Sequence, residues 1–434
     1  MTLAAYRVDS PDAENFLSRL KARGSQRLGE AEKIAREVLR QVETEGDAAL
    51  IRLGKQYDGV TMQAEDLRVP IDRIRRIAAA APVETHEALK LAALRIRRFH
   101  EAQRLALKDF EIELEGVRMG QRAVAIDRTG VYVPGGKAAY PSTVLMNVIP
   151  ARIAGVAGIA VTTPPGSLER NPAVAAALEL MDVSEVYCVG GAQAVAALAF
   201  GTQTVRAVDK IVGPGNLFVN AAKRLVAGHV GVDAIAGPTE VLVVADDTAR
   251  PAWIAADLLA QAEHDEEASS VALVPSLDMA EEVGREVERQ IEPLPRKAII
   301  RASLAQHGST LVYTSREEAV VTVNRVAPEH LALHVREPRT WHTLVRHAGS
   351  VFLGEHAAEV LGDYGCGLNH VLPTTRCSRF ESALGVASFL RLQQWLETGA
   401  AGARRASHMV ETLARAEGLE AHARAMSVRL ESDS

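Results

Sequence analysis

Gly130-Val131-Tyr132-Val133-Pro134-Gly135-Gly136 decides the fold: it is an apolar, β-branched run that stops at a proline and paired glycines. The same texture restarts at Gly158, Glu185 and Lys210, at intervals of roughly 25–28 residues. Ala-rich helical stretches such as Asn171 to Met181 and Ala192 to Phe200 fill the gaps. Near-continuous apolar strands are strands buried on both faces, so this rhythm predicts βα repetition around a parallel sheet. Toward the C-terminus a second series predicts another α/β layer, with strands Val241 to Ala245, Val271 to Val274 and Thr310 to Thr314. Helices Pro251 to His264 and Met279 to Ile291 lie between them. Upstream, apolar residues at three- and four-residue spacing predict helices over Arg27 to Leu53, Ile71 to Ala81 and Glu84 to Leu107. From about Phe389 to the end, Ala, Glu and Arg dominate, which predicts helix without a strand.

The chain has 434 residues, a formal charge of −6 and 47% hydrophobic residues. At roughly 150 residues per domain that length suggests about three domains. Aromatic content of 4% and an acidic balance supply neither stacking platforms nor a positive footprint for nucleic acid. Arg73, Arg75, Arg76, Arg95, Arg97 and Arg98 read as a solvated helix face. The longest apolar candidate, Val144 to Val161, contains Asn147, Pro150 and Arg152 and cannot serve as a membrane span. The first residues mix Arg7, Asp9, Asp12 and Glu14 with apolar pieces, unlike a secretory leader. Cys188, Cys366 and Cys377 are too scattered for a disulfide framework or a thiolate zinc site. The expected location is cytoplasmic.

Three glycine turns follow expected strands: Pro134-Gly135-Gly136, Gly190-Gly191-Ala192-Gln193 and Gly213-Pro214-Gly215-Asn216. In a parallel sheet they share the carboxyl edge, where glycine admits a ligand close to the backbone and helix N-termini offer amides to an anion. Neither Gly-x-Gly-x-x-Gly nor a P-loop is present, since Gly136-Lys137 leads into Ala138, so a nucleotide cleft and plain tight turns both remain open. Gln261 and His264 share one helix face, as two metal ligands or as an ordinary polar helix end. Adjacent Glu329 and His330 supply two bases of different intrinsic pKa, suited to two proton transfers. Asp363 and His370, in a glycine-flanked segment, offer a carboxylate and an imidazole or merely a structured loop. Glu417 and His422 sit on a charged helix whose default reading is a solvated face.

Taken together these segments resemble the histidinol dehydrogenase family over most of the chain. The resemblance is carried by Gly130 to Gly136, Ala139-Tyr-Pro-Ser142 with Val144-Leu-Met146, Gly190-Gly-Ala-Gln-Ala194 and Gly213-Pro-Gly-Asn216. It continues through Ala236-Gly-Pro-Thr-Glu240, Gln261-Ala-Glu-His264, Ala327-Pro-Glu-His-Leu331 and Asn369-His-Val-Leu-Pro373. It implies a zinc-containing enzyme that uses two NAD+ and water to oxidise L-histidinol to L-histidinal and then to L-histidine. It implies one zinc per subunit, held by Gln261, His264, Asp363 and His422, the last supplied by the other subunit of an intertwined homodimer. Thr239, His370 and Glu417 are implied substrate contacts, with Glu417 also crossing; Tyr132, Gln193 and Asn216 fall where the family touches NAD. The metal ligands and His330 also face substrate in that picture.

The implied architecture is two incomplete Rossmann-like domains, one inserted in the other. Residues 29–129 with 238–381 form the first and carry zinc and the catalytic residues, and 130–237 form the NAD side. Helical segments 1–28 and 382–434 flank them, the latter swapped in the dimer. In the implied scheme His330 takes the alcohol proton and assists the second hydride transfer, while Glu329 activates water. No cysteine acyl-enzyme is needed, and Cys366 reads as incidental. Thr239 departs from the serine more usual in the family; the hydroxyl stays and the methyl narrows the pocket. The nearest rival is a zinc and NAD alcohol dehydrogenase for another polar primary alcohol, such as a sulfonated propanediol. Glu240, Glu417 and Gln193 favour histidinol instead, since a carboxylate at Glu417 suits a cationic amino alcohol or imidazole. A zinc hydrolase is opposed by the three glycine turns.

Overall fold

Proline and glycine punctuation cuts the apolar runs into strands short enough for a following helix to cover. The computed structural model describes residues 3–23, 25–135 and 140–431; Gly136, Lys137, Ala138 and Ala139, from the glycine turn and the motif after it, lie outside the described residues. The chain is α/β, with two parallel sheets and one small antiparallel sheet among the described residues.

Strands Arg128–Tyr132, Gly158–Thr163, Glu185–Cys188, Lys210–Val212 and Gly231–Val232 form a five-stranded parallel sheet. Arg128–Tyr132 is central; the next two strands step outward on one side, and Lys210–Val212 then pairs on the other. That reversal opens a crevice beyond the carboxyl ends of Arg128–Tyr132 and Lys210–Val212. Gly213 lies there at φ 106, and a Cβ on it would collide with the Tyr132 carbonyl oxygen. Gly213→Ala is therefore expected to cost about 1–3 kcal/mol. The readout is a lower urea midpoint with an unchanged slope; a wild-type midpoint would show that the turn relaxes freely.

The six-stranded sheet runs, in spatial order, Ala5–Arg7, Gly308–Val312, Ser269–Val274, Glu240–Ala245, His330–His334 and Ser350–Leu353, every pair parallel. Helix Pro251–Ala262 starts with proline at its first position, where a missing N–H costs nothing, and buries Ile254 and Leu258 in this sheet's core. The register sets His330 opposite Val241. Glu240 and Glu329, distant in sequence, thereby become neighbours at the amino edge of the sheet.

Several expectations change. The helix expected over Arg27 to Leu53 is two, Ser25–Glu45 and Asp47–Leu53, because Gly46 takes φ 59 between them. The segment 1–28 is not only helical: Ala5–Arg7 is an edge strand ahead of helix Pro11–Ala22. After Phe389 the chain is first a strand, Leu390–Thr398, antiparallel to Val117–Ala125, which also pairs with Phe110–Leu114. Most of its side chains are exposed and its partner lies far back in the sequence, so no local apolar alternation announces it. The helices within 29–129 do not bury in the core of the six-stranded sheet that 238–381 builds, although helix Val83–Ala106 touches Gly365 and Gly367. Val38, Val42, Ile74 and Ile96 bury instead with Ile149 and Val195 on the five-stranded sheet, because that is where their apolar stripes meet an open apolar face. Among the described residues no helix is long and apolar enough to cross a membrane.

Candidate active site

Helix Arg316–Val326 ends at Ala327, whose φ of 51 turns the chain before strand His330–His334 begins. Glu329 and His330 are thus set at the buried start of an interior strand, 6% and 4% exposed. Glu329 Oε2 accepts a hydrogen bond from Thr239 Oγ1 at 2.6 Å and another from the Glu240 N–H at 2.9 Å. His330 Nδ1 lies 3.3 Å from the Glu240 carbonyl oxygen and 3.6 Å from Glu329 Oε2. Its Nε2 lies 3.6 Å from Asp363 Oδ1, and its ring stacks on Phe352. Burial opposes charge on His330, yet Glu329, Asp363 and Glu359 outweigh it and hold its pKa well above the ordinary value.

Gln261 is buried in the last turn of helix Pro251–Ala262, and half-buried His264 follows just beyond the helix. Exchanging the Gln261 amide O and N lets its oxygen share the Glu240 N–H with Glu329 Oε2, at 2.8 Å, and its nitrogen donate to Glu359 Oε1 at 3.2 Å. Asp363 ends a short helix, Val360–Asp363, rather than lying in an open loop. Burial raises its pKa, but His330, His370 and His264 prevail and keep the carboxyl below its usual range. His370 Nδ1 is 3.2 Å from the Asp363 carbonyl oxygen and Nε2 is 3.3 Å from Thr143 Oγ1. Thr143 belongs to helix Pro141–Ala154, which follows the central strand of the five-stranded sheet, so this contact joins the two α/β units. Burial lowers the pKa of His370 against the pull of Asp363.

Thr239, Gln261, His264, Glu329, His330, Asp363 and His370 therefore converge. Glu417 and His422 do not: both are exposed on the C-terminal helices Ala400–Ala416 and Glu420–Glu431 or at the turn between them. Among the described residues no group of three or more His, Cys, Asp or Glu side chains is placed to hold a metal within one chain.

Tyr132, Gln193 and Asn216 all follow or end strands at the carboxyl edge of the five-stranded sheet. The buried Tyr132 hydroxyl accepts from the Gly191 N–H at 3.2 Å, and burial pushes its pKa up to about 12. Gln193 Nε2 donates to Asp58 Oδ2 at 3.3 Å. Asn216 Oδ1 caps helix Leu217–Val226 by accepting from Phe218 and Val219 N–H groups.

Sequence reasoning missed three buried groups beside the cluster. Glu359 is 1% exposed; burial, with Asp363, Asp257 and Glu329 nearby, holds its pKa well above normal against the opposing pull of His330. Asp257, one helical turn before Gln261, meets His334 at 3.0 Å, and His334 follows His330 on the same strand face. The i, i+4 spacing to Gln261 was a usable signal for Asp257; Glu359 had none. Arg23 pairs with Glu240 at 3.0 Å across the whole N-terminal half of the chain.

The model of the family described as histidinol dehydrogenase matches residues 21–430. The histidinol dehydrogenase of Nitrosomonas europaea is 48% identical over 92% of this chain and 93% of that protein. That of Gluconobacter oxydans is 47% identical over 97% of each. The crystal structure of histidinol dehydrogenase from Elizabethkingia anophelis superposes with a TM-score of 0.92 at 37% identity, covering 99% of this chain and 98% of that one.

Proposed function

Since the chain belongs to the histidinol dehydrogenase family, oxidoreductases of histidine biosynthesis, we propose that it oxidises L-histidinol through L-histidinal to L-histidine with two NAD+, the last step of that pathway. The observation that carries the reading is the pair of buried bases, Glu329 and His330, aimed from one strand start into the cluster of Gln261, His264, Asp363 and His370. His330 takes the alcohol proton in the first oxidation. Glu329, with one oxygen anchored by Thr239 and Glu240, deprotonates the water that adds to the aldehyde, and His330 takes the proton of the hydrated aldehyde in the second oxidation.

Glu329, Glu359 and Asp363 crowd together, and Glu359 Oε2 is buried without a hydrogen-bond partner among the described residues. Such an excess of buried acceptors fits a divalent cation. Gln261, His264 and Asp363 would hold one Zn2+ per subunit, with His422 of the partner subunit as the fourth donor, a nitrogen and oxygen set that zinc accepts. Zinc would orient the imidazole and amine of the substrate without exchanging electrons. Thr239, His370 and the partner subunit's Glu417 would line the substrate. Tyr132, Gln193 and Asn216 would receive NAD+, the hydride acceptor, at the crevice of the five-stranded sheet.

A homodimer accounts for the exposed Glu417 and His422. It also accounts for Ile112, Leu114, Leu392, Leu396, Met409 and Leu413, each more than half exposed on the small antiparallel sheet and the C-terminal helices. That apolar surface is what a partner's swapped 382–434 segment would cover. Free Cys188, Cys366 and Cys377 agree with a reducing, cytoplasmic setting.

The purified protein given L-histidinol and NAD+ is expected to form two NADH per histidinol consumed, to stop on chelation and to recover with zinc. No turnover on histidinol by a zinc-loaded protein that binds NAD+ would point to another polar alcohol. Thr239 and Glu417 would then be the residues to exchange.

A further inference from the structure

We propose that Arg23 is a positioning residue for Glu329 and acts through Glu240; this rests on the water-activating role proposed for Glu329. Arg23 follows helix Pro11–Ala22, and its side chain is 1% exposed. Its Nη2 donates to the Pro238 carbonyl oxygen at 2.8 Å and to Glu240 Oε2 at 3.0 Å. The other oxygen of that carboxylate accepts from the Thr375 N–H at 2.9 Å. One guanidinium thus grips both ends of Pro238-Thr239-Glu240. The middle hydroxyl and the last N–H of that segment are the two donors that anchor Glu329 Oε2.

Features around this tie point to placement rather than bulk stability. Among the described residues Arg23 Nε and Nη1 are buried without partners, a costly arrangement for a guanidinium and a poor way to gain stability. Thr375 and Arg376 sit consecutively at φ 48 and 68, a left-handed conformation that a β-branched residue holds only when its surroundings impose it. On the side facing the N-terminal helix, Glu240 borders a cavity of about 210 Å³ whose walls include Leu17, Leu20, Val241 and Thr375. Dense packing therefore does not hold Glu240 from that side, and the ion pair and the Thr375 N–H do. Water attack needs the Glu329 carboxylate in one orientation, and a misplacement of about 1 Å can cost about 10²-fold in rate.

The test uses the zinc-loaded full-length enzyme as Arg23→Met/Glu240→Gln, which removes both buried charges together, and as Arg23→Lys. Thermal midpoint, zinc content, the first NADH formed from histidinol and steady-state oxidation of added L-histidinal are compared with wild type. For the double variant, kcat on histidinal is expected to fall about 10²-fold with KM little changed. The first NADH from histidinol should fall much less, and Arg23→Lys should recover part of the loss. Equal losses in both steps, or wild-type kcat on histidinal in a folded, zinc-loaded variant, overturn the proposal. If the double variant does not fold, Arg23→Lys decides by the same criterion. Glu329→Gln is run in parallel: if it too fails to be selective for histidinal, the role of Glu329 falls; if it is selective and the Arg23 variants are not, only the positioning claim falls.

Discussion

Glu329→Gln is expected to slow L-histidinal oxidation by about 10²–10⁴-fold while slowing the first oxidation of histidinol far less. The amide keeps the size of the carboxylate, and its oxygen can still accept from Thr239 and Glu240, so the strand start and the pocket stay in place. What is lost is the base that, in the proposed scheme, only the addition of water to the aldehyde requires. The change also acts on His330. Glu329 is the strongest influence raising the pKa of His330 against burial, so a neutral amide lets that pKa fall. A base with a lower pKa is unprotonated down to lower pH, and the acid limb of the alcohol step should move in that direction. Single-turnover NADH formation from histidinol, beside steady-state turnover of histidinal, separates the two steps. Equal losses in both would remove the water-activating role.

His422→Ala is expected to lose zinc and activity while the dimer persists by size. His422 is exposed on helix Glu420–Glu431 and reaches no member of the cluster in its own chain, so its effect must pass between subunits. Losing a direct ligand should exceed the ~10–100-fold drop in metal affinity that loss of an outer-shell partner brings. Full zinc content in the variant would contradict the ligand assignment. Mixing subunits sharpens the result. A heterodimer of His422→Ala and Glu329→Gln chains contains one intact site if His422 crosses, so re-associated mixtures should regain about a quarter of wild-type four-electron turnover. No recovery would place His422 in its own subunit's chemistry.

The alternation of β-branched runs with Ala-rich helices was readable along the chain because it reflects local burial: it announced four of the five strands of one parallel sheet and three of the six of the other, missing Ala5–Arg7, His330–His334 and Ser350–Leu353. Glu329 with His330, and Gln261 with His264, were likewise readable because their spacing is local. Residues joined only by distant contacts were not. Leu390–Thr398 pairs with Val117–Ala125 through backbone bonds that leave most of its side chains in solvent, so it carries no apolar period to detect.

By itself, then, the sequence determined the α/β class, the glycine turns, the adjacent Glu329 and His330 and the shared face of Gln261 and His264, each a consequence of residue chemistry at short range. Tertiary structure alone decided that the His330 register on Val241 brings Glu329 under Thr239 and Glu240, that Glu359 lies behind Gln261, and that Arg23 closes on Glu240. The physical reason is that a local period records which face of an element is buried, whereas the element that buries it is chosen by complementary faces far apart in the chain.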